Sequence, residues 1–157
     1  MNTKSQKVEN AQRTGTENVE DIAATLQSLT QYEIDGSFIV SQAIGSLRNT
    51  NLSEHLIKVR EECEHNIEEL ANLIRQYGRE APEHSRDFKG FFMQGYVGMR
   101  GLISDKGVMS ALQTNLQFIT NTYEKALESN LPGEVKAKLR MLSGKVQDHL
   151  NYVASQT

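Results

Sequence analysis

Apolar residues recur at steps of three and four along most of this chain, the period of a helix face rather than of a strand. Val19, Ile22, Leu26, Leu29, Val40, Ile44 and Leu47 define one face of a first helix ending near residue 48. Asn49-Thr50-Asn51 interrupts it, and Asn51 with Glu54 three residues on predicts a capping box opening a second helix. Leu52, Leu56, Val59, Cys63, Ile67, Leu70 and Ile74 carry that helix to about Tyr77, where Gly78 is placed to stop it. A third helix, from about Asp105 to Ser129, uses Met109, Leu112, Leu116, Ile119, Tyr123 and Leu127. Pro132 and Glu134 mark the first turn of a fourth, whose stripe is Val135, Leu139, Leu142, Val146, His149 and Val153.

Between the second and third helices lies "REAPEHSRDFKGFFMQGYVGMRGLISDKG", too long for a turn. Phe88, Phe92, Met99 and Leu102 predict a short amphipathic helix within it. Gly90, Gly95, Gly98 and Gly101 weaken that helix by roughly 1 kcal/mol each. The spacing matches no phosphate-binding loop. Four amphipathic helices with one long crossover predict an all-α, ferritin-like four-helix bundle, with the second and third helices parallel. Residues 16–157 are expected to form this single domain. Residues 1–15 are polar, contain Thr14-Gly15, and are expected to be a flexible tail.

Charge narrows the partners. The 157 residues include 20 acidic and 17 basic ones, for a net charge of −3, so neither nucleic acid nor an anionic membrane is expected as a partner. Lys4, Lys7 and Arg13 make the tail locally basic, which reads as solvation rather than a DNA-coating arm. The single cysteine rules out an intramolecular disulfide and suits a reducing compartment. No apolar run approaches membrane-spanning length. The expectation is a soluble, cytoplasmic protein.

Glu62-Cys63-Glu64-His65 spells the Glu-x-x-His spacing that supplies half of a di-iron site in some bundles. With about 100° per residue, however, His65 falls about 160° from Cys63, the centre of the apolar stripe. Glu61 and Glu68 share that outer side, so the motif reads as a solvated face. The inward polar residues are others: Glu33 and Ser37 on the first helix, Cys63 and Asn66 on the second, His149 on the fourth. The third offers Leu116 and Ile119 at mid-helix. Buried Glu33 needs a partner or a proton, and His149 is the expected one. Glu33, Cys63 and His149 together would make a reduced site for iron or zinc.

Asp35-Gly36, the "GFFMQGYVGMRGLISDKGVMSAL" connection and "YEKALESNLP" resemble the bacterial ferritin-like four-helix-bundle family catalogued as domain of unknown function 2383, over residues 18–155. The resemblance implies the bundle but no established role. It also argues against a complete di-iron centre. The position after Asp35-Gly36, often glutamate in that family, is Ser37; the residue three before His149 is Val146. The expectation is therefore a non-catalytic interaction or self-association module without a cofactor. Its contact surface would be the crossover 88–103, where Phe91, Phe92, Met93, Tyr96 and Met99 offer more apolar area than a short helix can bury. The alternative is a degenerate iron- or zinc-binding, or metal-dependent redox, bundle.

Overall fold

The computed structural model describes residues 3–83, 99 and 102–157, with side chains from Asn18 onward. Four helices account for most of it: α1 (Thr3–Ser46), α2 (Thr50–Gln76), α3 (Asp105–Glu128) and α4 (Gly133–Ser155). No strand occurs among the described residues.

Two helix starts differ from the expected ones. Helix α1 begins at Thr3, well before Thr16. Residues 3–15 carry too little apolar pattern to announce a helix, yet Lys, Gln, Glu, Ala and Arg extend one that is already nucleated. The cap of α2 is Asn49 rather than Asn51. Its Oδ1 accepts from the amides of Asn51 (2.9 Å) and Leu52 (3.2 Å). The end of α2 is as expected. Gly78 adopts φ +70°, where a side chain would be strained, and its N–H donates to Arg75 O.

Contacts at the helix ends fix the topology. Gln27 donates to the Glu80 carbonyl and Arg79 lies 4.0 Å from Glu20, so α1 and α2 are antiparallel. Asp105, at the start of α3, accepts from the amides of Arg48 (2.8 Å) and Asn49 (2.9 Å) at the end of α1. Helix α3 is therefore also antiparallel to α1. Glu69 with Lys138, and Glu62 with His149, set α2 and α4 antiparallel. Each of α1 and α4 packs on both α2 and α3, leaving α2 and α3 parallel across a diagonal. The connection after α2 thus joins opposite ends of the bundle. The short helix expected within 88–103 falls largely outside the described residues, of which Met99 is buried in the core.

The core contains the expected stripes of all four helices, from Leu26 through Leu56, Leu70, Leu112 and Leu116 to Leu139. Each such side chain contributes about 1.5–3 kcal/mol of burial. The middle of α1 is covered on more than its stripe. Ile34, Asp35 and Ile39 are buried, although Asp35 lies about 200° around the helix from Glu33. Gln31 donates to Asp35 Oδ1 at 3.0 Å.

Gly36 lets α1 approach α3: a Cβ there would stand 2.7 Å from Ile119 Cδ1. Gly36→Ala should therefore destabilise the protein by about 1 kcal/mol. The clash, roughly 1–3 kcal/mol, outweighs the roughly 1 kcal/mol gained in helix propensity. In an Ile119→Val background, which lacks the clashing methyl, the same change should become neutral or stabilising. Urea unfolding of the four proteins measures this coupling; additive effects would refute the contact.

Candidate functional site

The only glutamate in the buried interior among the described residues is Glu33, at the centre of α1's apolar face. Its Oε1 accepts from the Tyr123 hydroxyl of α3 at 2.8 Å and from Asn66 Nδ2 of α2 at 3.2 Å. Its Oε2 is buried without a hydrogen-bond partner, as is Asn66 Oδ1. Desolvation pushes the carboxyl up to about 7, and the two hydrogen bonds pull the other way without prevailing. Glu33, on α1, therefore exchanges a proton near neutrality while held from two other helices, α2 and α3.

Cys63 lies one turn before Asn66 on the inward face of α2 and is buried as a free thiol. Burial first, then the negative charge of Glu33, pushes its ionisation well up. The same two causes raise Tyr123. A thiol in this state is no nucleophile, since reactivity resides in the thiolate.

His149 does not meet Glu33. It lies on the α2–α4 seam, 11% exposed, with Nε2 2.7 Å from Glu62 Oε2. Desolvation lowers its ionisation, and Glu62 opposes that. Farther along the same seam His55 stacks on Tyr152, ring centroids 3.4 Å apart, and Lys138 pairs with Glu69. His55, Glu62 and Glu69 recur every seven residues on α2, so the seam is a polar ladder. The expected pairing of Glu33 with His149 is corrected by this geometry. A histidine on the flank of a stripe reaches across to the neighbouring helix, not to the bundle axis.

The outward reading of Glu62-Cys63-Glu64-His65 agrees with the structure: Glu62, Glu64 and His65 are exposed and only Cys63 faces inward. His65 lies 3.8 Å from Glu69 on the next turn. Glu62 is exposed as well, and from the surface its Oε2 reaches His149 across the seam. Among the described residues no group of three or more His, Cys, Asp or Glu side chains is placed to hold a metal ion. Of the three candidates, Glu33 and Cys63 share the mid-bundle region and His149 stands apart. Tyr123 is the residue that sequence reasoning missed as a partner. Its signal was a phenol inside an apolar stripe, because a fully buried Tyr hydroxyl needs an acceptor.

A family model described as Domain of unknown function (DUF2383) matches residues 21–129. The chain belongs to that family. The DUF2383 segment takes in Glu33, Cys63, Asn66 and Tyr123, and ends at the close of α3. Helix α4, with His149, follows it. No curated protein matches the chain.

Proposed function

We propose that this DUF2383 protein is a ferritin-like bundle that works by association with a second copy of itself rather than by chemistry on a small molecule. The parallel placement of α2 and α3 supports the ferritin-like reading. The mid-bundle polar residues support the non-catalytic one, because Glu33 Oε1 is held by the Tyr123 hydroxyl and the Asn66 amide. The family resemblance and the lone buried cysteine favour a bacterial, cytoplasmic protein.

The observation that carries the association is Ile103, which is 85% exposed immediately before Ser104, the cap of α3. Its neighbour Leu102 packs on the core, so the chain divides the two side chains between interior and solvent. Ile103 also ends the apolar stretch 88–103, the rest of which lies mostly outside the described residues. A two-fold axis near this point would set Ile103 against its own copy, doubling the apolar area from one residue. No helix among the described residues is long and apolar enough to cross a membrane.

Ile103→Asp should convert a dimer to a monomer in sedimentation velocity across a concentration series, with unchanged helical circular dichroism. A wild-type protein that stays monomeric throughout the series would defeat the proposal.

A further inference from the structure

Where α1 and α3 run side by side, small side chains leave a gap between them. Leu29 of α1 and Ala126 of α3, both buried, form its floor. Tyr32 of α1 and Phe118 of α3 close one end, edge to face at 85° with ring centroids 5.3 Å apart. The cleft has a volume of about 480 Å³, within the roughly 300–1,000 Å³ of small-molecule sites.

The groups along its α3 wall differ in what they can offer. Thr122 Oγ1 donates to the Ile119 carbonyl and Ser129 Oγ to the Ala126 carbonyl, both at 2.6 Å. Each hydroxyl hydrogen is committed to the helix, so these oxygens present lone pairs to the cleft. Lys125 is exposed and is the one charged side chain among the described residues lining it. Seven residues separate Phe118 from Lys125, about 10 Å along the helix axis.

We infer that this α1–α3 cleft binds a small aromatic monoanion of two fused rings, its rings against Phe118 and Tyr32 and its acidic group on the Lys125 ammonium. The edge-to-face corner suits a flat ring. The single cation calls for one acidic group, and the lone pairs of Thr122 and Ser129 repel a second. The separation of about 10 Å selects two fused rings, since one ring with a carboxylate is too short to reach both ends. The cleft lies on the half of α3 away from Ile103, so ligand binding and self-association are read separately.

The test titrates 2-naphthoate into the full chain and follows the probe's fluorescence, with isothermal calorimetry for stoichiometry. Saturable binding at one equivalent per chain is the expected result. The neutral 2-naphthamide and the dianion naphthalene-2,6-dicarboxylate should each bind more weakly, by about fivefold or more. Lys125→Gln should weaken 2-naphthoate by the same factor and leave 2-naphthamide unchanged. Lys106→Gln, at the other end of α3, should alter neither, with helical circular dichroism confirming that both variants fold. No saturable binding up to millimolar probe overturns the site. Equal affinity for the amide or the dianion overturns the ligand class, and full affinity in Lys125→Gln overturns the placement.

Discussion

Glu33→Gln should flatten the pH dependence of stability between pH 4.5 and 8 and make the protein more stable than wild type at the alkaline end. In the unfolded chain Glu33 ionises at its ordinary value of 4.5, and in the folded bundle at about 7. The folded state therefore binds the proton more tightly. Its contribution is fully present below the unfolded value, declines as pH rises, and is lost above about pH 7. The loss amounts to roughly 3 kcal/mol, at about 1.4 kcal/mol for each unit of separation. Glutamine keeps an oxygen for Tyr123 and Asn66 but carries no charge to desolvate. His149 acts with the opposite sign. Its folded value is depressed, so its contribution is present above the ordinary 6.5 and is lost as pH falls through the lowered value. Comparing variant with wild type at each pH cancels that term. Urea midpoints at pH 5, 6, 7 and 8 supply the measurement, and a difference that does not change with pH would refute a proton on Glu33.

Tyr123→Phe should cost more at pH 8 than at pH 5. The substitution keeps the ring, so the packing of a fully buried side chain survives and only the hydroxyl is removed. At pH 8 Glu33 is ionised, and the lost bond is charge-assisted, worth about 1.5–3 kcal/mol. At pH 5 the carboxyl is neutral and the bond is worth about 1 kcal/mol. Because that bond lowers the Glu33 value, the wild-type pH transition should also move upward in the variant. The same urea series reports both effects. An equal loss at the two pH values would mean that the hydroxyl does not address the carboxylate.

Much of the fold was legible because each helix buries a stripe, and a stripe writes a period into the sequence. Gly78 and the Asp105 start of α3 were readable for the same local reasons. Thr3 was not, because a polar helix extension carries no period. Ile34, Asp35 and Ile39 were not readable either. Their burial on other sides of α1 comes from whatever lies against that helix, not from its own pattern. In the site, Glu33 announced itself as a charge in an apolar stripe, and Cys63 followed from its place at the centre of another. The error at His149 has a single origin. A helical wheel gives angle but neither height nor reach, so it cannot tell an inward imidazole from one that crosses a seam to Glu62. Tyr123 was counted as apolar area, and its hydroxyl was overlooked.

The diagonal placement of α2 and α3 carries a consequence for the order of folding. Two short turns, after Ser46 and after Glu128, close the hairpins α1–α2 and α3–α4, whose contacts are local in sequence and therefore fast to form. Everything that joins one hairpin to the other is distant in sequence: Glu33 with Tyr123, Asp105 with Arg48, Glu62 with His149. Contact order therefore predicts that the Glu33–Tyr123 bond forms after the contacts within each hairpin. Tyr123 and Tyr152, which stacks on His55 of the other hairpin, are two of the five tyrosines in a chain without tryptophan, so tyrosine fluorescence is expected to report the docking of the two halves.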